Sequence, residues 1–150
     1  MPIHVEIVTQ EGKLFEEREA DMVIVPATEG VMGVLPHHAP VLTTMGFGEL
    51  LVKKGNAQES FVIYGGIVEV RPGRVTVLAD TAESTATVDI LKAEEARTRA
   101  QDLMRSGPPH EKEYSIAQDL RRAEIAINVV RKQRNRGGIQ IRTVADDSGN

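Results

Sequence analysis

The chain has 150 residues, is 41% hydrophobic but only 3% aromatic, contains no Trp and no Cys, and carries a net charge of −4. Without cysteine there are no disulfides, thiolate nucleophiles or zinc–thiolate centres, and the shortage of aromatic faces argues against stacking platforms for bases or sugars. A negative chain without basic–aromatic interleaving is not expected to bind nucleic acid, and no apolar run approaches the roughly 20 residues of a membrane-crossing helix, so no direct membrane insertion is expected.

The start, Met1-Pro2-Ile3-His4-Val5-Glu6, lacks the basic and apolar regions of a signal peptide. Ile3, Val5 and Ile7 alternate with His4 and Glu6, the two-residue period of a half-buried strand. Gly12 interrupts the run, Leu14-Phe15 begins another, and Met22-Val23-Ile24-Val25 follows until Pro26 stops it. Further short β-branched runs are Leu50-Leu51-Val52, Phe61-Val62-Ile63-Tyr64, Ile67-Val68-Glu69-Val70 and Val75-Thr76-Val77-Leu78. Turn signals separate them at Gly55-Asn56, Gly65-Gly66 and Arg71-Pro72-Gly73-Arg74. The spacing predicts an antiparallel β-sandwich over residues 1–86.

Composition then shifts to Ala, Arg, Glu and Leu, and residues 87–136 read as an antiparallel two-helix hairpin. Thr87 is the expected N-cap, with Asp89 in the first turn. Ala93, Ala96, Ala100, Leu103 and Met104 repeat at helical spacing until Ser106-Gly107-Pro108-Pro109 ends the helix. Ile116, Leu120, Ala123, Ile127 and Val130 mark the apolar stripe of a second helix from about Glu111 to Asn135, closed by Gly137-Gly138. Residues 137–150 are expected to be a flexible tail. Residues 1–86 hold 6 basic and 12 acidic side chains and the remainder 12 and 10. That asymmetry fits two parts with different partners, and equally two solvated surfaces.

Sites for chemistry are scarce. There is no phosphate-binding G-x-x-x-x-G-K-[ST] loop and no G-x-S-x-G elbow. His37-His38 is the one histidine pair. Neighbouring side chains of an extended segment point to opposite sides, so a turn or surface role is favoured over a metal site.

One segment is more specific. Pro26-Ala27-Thr28-Glu29-Gly30-Val31-Met32-Gly33-Val34-Leu35-Pro36-His37-His38-Ala39-Pro40-Val41-Leu42-Thr43 resembles the signature of the epsilon subunits of F-type ATP synthases. The likeness extends to Ile7-Val8-Thr9, to Gly65-Gly66-Ile67-Val68-Glu69-Val70, to Val75 through Glu83 and to Val88-Asp89-Ile90-Leu91-Lys92-Ala93. Gly30 and Gly33 are expected to make tight turns with positive φ, and Pro36 and Pro40 to stiffen an exposed loop. The resemblance implies a non-catalytic central-stalk subunit on the cytoplasmic face of a bacterial membrane. Its partners would be the gamma shaft, the c-ring and the alpha/beta catalytic subunits, and no cofactor is required.

By the same resemblance, Glu29, Gly30, Val31, Met32 and His38 are expected to contact the ring, with Val31 standing where relatives often carry an acidic residue. Arg121, Arg122, Arg131, Lys132 and Arg134 are expected to reach acidic catalytic segments when the hairpin swings out and brakes hydrolysis. The local alternative for the last of these is that cations stabilise a helix C-terminus. Relatives that bind a regulatory ATP carry Asp-x-x-Arg-Ala on the first helix. Here Asp89, Ala93 and Arg99 match, and Lys92 replaces the arginine, without the planar fork that suits phosphate. Two other classes stay open from the residues alone: a nucleotide-sensing module built on the hairpin, and a small sandwich enzyme or sugar-binding module.

Overall fold

A computed structural model describes residues 1–141. The strands are β1 (Ile3–Thr9), β2 (Gly12–Ala20), β3 (Met22–Ala27), β4 (Gly30–Val34), β5 (Val41–Lys54), β6 (Ala57–Arg71), β7 (Arg74–Ala79) and β8 (Ala82–Ser84). Helices α1 (Ile90–Arg105) and α2 (His110–Arg136) follow, and then a two-residue strand β9 (Ile139–Gln140). The hydrogen-bonded order is β2-β1-β7-β6-β5-β3-β4, with β8 and β9 also paired to β6.

The long strands β5 and β6 belong to both layers of the sandwich. The second half of β6 pairs with β7 from Gly66 to Arg71, and its first half pairs with β8 from Phe61 to Ile63. Glycines mark the transition. Gly65 and Gly66 have φ of 87° and 131°, and a Cβ on Gly66 would collide with the Leu78 carbonyl oxygen. A Cβ on Gly48 would meet Pro26 Cβ at 2.8 Å, so the facing strands can approach only over glycine. The enclosed core is aliphatic, built on Ile3, Val5, Ile7, Val23, Val25, Leu50, Val52, Ile63, Val68 and Val77. Its aromatic centre is the tilted pair Phe15 and Phe61, 5.0 Å between centroids.

The sandwich-then-hairpin order is the one the patterning predicts, and several local details differ. Pro26 does not stop β3 but lies inside it, opposite Val31 of β4, where the pairing to β5 is irregular between Ile24 and Ala27 and needs no proline N–H. Residues 30–34 form strand β4 rather than loop. Gly30 has φ 135°, as expected, whereas Gly33 is an ordinary strand residue opposite Ile24 whose missing Cβ leaves room for Met22 Cε at 3.0 Å. His37, not a glycine, takes the left-handed conformation, φ 71°, in the turn after Pro36.

Asp89, not Thr87, caps α1, because its carboxylate accepts from the N–H groups of Leu91 and Lys92 while the Thr87 hydroxyl is committed to the Ser84 carbonyl. Along α1 only Ala100 is buried, and Leu103 and Met104 are exposed because no element among the described residues covers that end. The expected flexible tail begins instead with β9, which pairs with β6 parallel, and Ile141 enters the main core. The rest of that expectation, residues 142–150, lies outside the described residues.

An ion cluster braces the β1–β2 edge. Lys13 Nζ donates to Glu16 Oε2 at 2.7 Å, His4 Nε2 is 2.8 Å from Glu16 Oε1, and Arg74 donates to Glu6 at 3.1 Å. The hydrogen bond from Lys13, followed by the one with His4, holds the Glu16 carboxyl down to about 2, against an ordinary value of 4.5. A carboxyl depressed on folding stabilises fully above its unfolded value and stops doing so as pH falls through its folded one. Glu16→Gln is therefore expected to flatten the decline of the urea midpoint between pH 4.5 and 2. Parallel declines in the two proteins would refute this.

Candidate functional site

The outer face of the β5-β6-β7-β1 layer carries an apolar row. Ile67 stands opposite Leu78, and Leu78 opposite Val8, so the three side chains share one face across three neighbouring strands. Leu42 lies on the same face of β5, opposite Glu69. Exposure of Leu42 is 66%, of Ile67 39% and of Leu78 46%. Aliphatic side chains exposed side by side on a sheet face form an apolar patch of the kind that contacts another protein.

The ring-contact residues proposed from sequence fall on two segments. Glu29, Gly30, Val31 and Met32 occupy the β3–β4 hairpin, whose turn is pinned to β5 by a 2.6 Å hydrogen bond between the Thr28 and Thr44 hydroxyls. His38 lies on the connection from β4 to β5, its Nδ1 2.7 Å from the Ala39 carbonyl. Val31 is 77% exposed and Met32 half-buried against the core.

Helix α2 rests on the other layer through a small apolar cluster of Val62, Tyr64 and Val129, joined by Phe47, Val88 and Ile125. Phe47 and Tyr64 meet edge to face, 5.7 Å between centroids. Arg121 lies 4.5 Å from the Phe47 centroid and Arg122 5.4 Å from that of Tyr64, so both guanidinium groups cover aromatic faces. Burial first, and then the Glu83 carboxylate, push the Tyr64 phenol above its ordinary value, keeping it a neutral donor to Glu83.

The five cations proposed for inhibition are thus not one patch. Arg121 and Lys132 line a groove of about 520 Å³ shared with Pro26, Val31, Phe47 and Glu49. Arg131 reaches Glu94 of α1 at 3.6 Å, and Arg134 is exposed near the end of α2. Arg122 faces a second cleft.

That cleft, about 490 Å³, opens between the hairpin and the sandwich. Asp89, Lys92, Ala93 and Arg99 all line it, together with Arg122 and Asp119. The sequence alone does not mark Arg122 and Asp119 for this role. They sit on α2 and meet the α1 residues only because the helices pack antiparallel. His4, Glu6 and Glu16, which carry no motif in the sequence, bring potential ligand atoms within 4.8 Å of one another. The signal lies in the pairing, since His4 and Glu6 share one face of β1 and Glu16 stands opposite Glu6. Lys13 and Arg74 already supply positive charge there.

Residues 2–85 match the β-sandwich domain of the ATP synthase delta/epsilon chain. The chain belongs to that family. An ATP synthase epsilon chain of Herpetosiphon aurantiacus is 43% identical over 136 residues, 91% of this chain and 99% of that one. An ATP synthase epsilon chain of Dehalococcoides mccartyi is 43% identical over 133 residues, 88% and 94% of the two chains. Among solved structures, a chain of the Euglena gracilis mitochondrial ATP synthase, from an OSCP/F1/c-ring assembly, shares the fold with a TM-score of 0.68 at 21% identity, over 90% of this chain and 81% of that one.

Among the described residues no helix is long and apolar enough to cross a membrane.

Proposed function

We propose that the chain is the non-catalytic central-stalk subunit that joins the c-ring to the gamma shaft of a proton-translocating F-type ATP synthase, on the cytoplasmic face of a bacterial membrane. In this reading the β3–β4 hairpin with Val31 meets the ring and the Leu42, Ile67, Leu78 and Val8 face grips the shaft. The helical hairpin swings out toward the alpha/beta subunits and restrains ATP hydrolysis. The observation that carries the reading is the apolar row on an otherwise polar sheet face, which a rigid block needs in order to be gripped by a partner.

The docking of α2 suits a mobile part. Its apolar contact with the sheet is limited to a few side chains, and its arginines hold to aromatic faces at roughly 0.5–2 kcal/mol each rather than to a deep core. Co-purification with a gamma-type coiled coil tests the scaffold role, and a chain that fails to bind one removes it.

A second reading concerns regulatory ATP, because the four residues singled out on α1 line a single cleft with Arg122. Lys92, Arg99 and Arg122 offer three positive charges, but Glu83, Asp89 and Asp119 oppose them, and Asp89 is occupied in capping α1. The balance implies weak binding, with a Kd of about 1 mM. Calorimetric titration of the isolated chain is expected to show saturable heat at millimolar ATP that Arg122→Ala abolishes. Heat identical in the variant, or none in the wild type, ends this reading.

A further inference from the structure

The end of α2 is fastened to the sandwich by a contiguous set of contacts. Arg136 donates twice to Glu49 of β5, at 3.1 and 2.7 Å, and the Ser60 hydroxyl donates to the same carboxylate from the opposite strand. Glu49 is therefore a prepared seat for a planar guanidinium, a geometry lysine does not reproduce. Gly137 and Gly138 follow with φ of 65° and 112°, turning the chain back immediately after the helix. Gln58 Nε2 donates to the Gly137 carbonyl at 3.1 Å. Ile139 and Gln140 then add a parallel strand beside Ala57 and Gln58, and Ile141 is buried in the sandwich core.

We infer that residues 136–141 are a latch that clamps the far end of the hairpin to the sandwich. Undocking α2 then requires three things together: extraction of Ile141, loss of β9 and separation of Arg136 from Glu49. The inference deepens the reading of the hairpin as a mobile brake, and it rests on that reading only for what the latch would regulate. Without the latch, the small cluster around Val62, Tyr64 and Val129 is the principal apolar hold of α2 on the sheet. With it, docking becomes cooperative across both ends of the helix, so a partner that displaced β9 from the edge of β6 would free the hairpin.

The test uses the full chain, whose lack of cysteine makes a single introduced thiol an unambiguous probe. Val129→Cys places that thiol under α2 against the sheet, and its labelling rate by a maleimide reads the undocked fraction. Val5→Cys places one in the sandwich core as the control. Gly138→Val forces a β-branched residue into φ 112° with its Cβ against Gln58, and touches neither the core nor α2. It is expected to raise Val129→Cys labelling about tenfold or more, the effect of roughly 1.4 kcal/mol on the docking equilibrium. Arg136→Gln, which leaves the tail intact, is expected to raise it several-fold.

Unchanged labelling of Cys-substituted position 129 in both variants overturns the latch. A matching rise at position 5 does the same, since it reports loosening of the whole sandwich. Because this readout needs no catalytic subunits, failure of the braking role would leave it untouched, and a working brake would not rescue it.

Discussion

An Ile67→Glu, Leu78→Glu double variant is expected to fold normally and to bind a gamma-type coiled coil at least a hundredfold more weakly than the wild type. Both side chains stand opposite one another in the β6–β7 pair and point away from the core, whose neighbouring members Val68 and Val77 point inward. About half of each is already covered, so a partner gains roughly half the full burial value, about 0.8–1.5 kcal/mol per residue. The larger effect comes from the replacement, because an unpaired carboxylate trapped in an apolar contact costs several kcal/mol. Hundredfold corresponds to about 2.7 kcal/mol, well within that sum. Thermal melting and circular dichroism establish that the sheet survives, since repulsion between the two facing carboxylates costs it no more than about 1 kcal/mol. Glu95→Gln, exposed on α1 and away from this face, is the control and should bind normally. Wild-type affinity in the double variant would move the shaft contact to another face.

How far such a surface is legible in the sequence depends on which forces decide each element. The Ile3, Val5, Ile7 alternation is local, and it yields β1 with the correct face inward. The run Phe61-Val62-Ile63-Tyr64 carries a further message. Phe61 and Ile63 enter the main core while Val62 and Tyr64 turn outward, so an unbroken apolar run in an antiparallel strand signals that something covers the outer face. That something is α2. The docking site of the hairpin is thus written into the strand itself.

Other features depend on partners that local pattern does not name. Thr87 and Asp89 are both competent caps, and the choice falls to Asp89 only because β8 supplies the Ser84 carbonyl that takes up the Thr87 hydroxyl. Gly33 resembles a turn glycine but lies within β4, where an added Cβ would come 3.0 Å from the end of the Met22 side chain on β3. The alternation Ile139, Ile141 is too short to specify a strand by itself. It pairs because the β6 edge at Ala57 and Gln58 is available to it. The resemblance groups Asp89, Lys92, Ala93 and Arg99 at the first helix, and only tertiary packing adds Arg122 and Asp119 from the second helix.

Ending the chain after Thr87 is expected to raise ATP hydrolysis by the assembled catalytic head about three- to tenfold. The reasoning is one of populations. If the braked state holds some 70–90% of complexes, abolishing it multiplies the active fraction by that range, and no change in the chemical step is involved. The truncation keeps β8 and the Thr87 turn but removes Val88, Val129 and Ile141, so it uncovers Val62 and Tyr64 and withdraws a residue from the sandwich core. A loss of assembly would therefore mimic a loss of braking. A charge reversal of Arg131, Lys132 and Arg134 to Glu separates the two, because all three are exposed on α2 and none belongs to an apolar cluster. Arg131 gives up only an exposed pair with Glu94, worth little to stability. In the proposed brake these cations meet acidic catalytic segments, so the reversed helix would be repelled there, and hydrolysis should rise as in the truncation while co-purification with the shaft is retained. Hydrolysis unchanged in both, at saturating subunit, would defeat the brake and leave the proposed coupling scaffold standing, since the apolar face proposed for the shaft lies on the opposite layer from the helices.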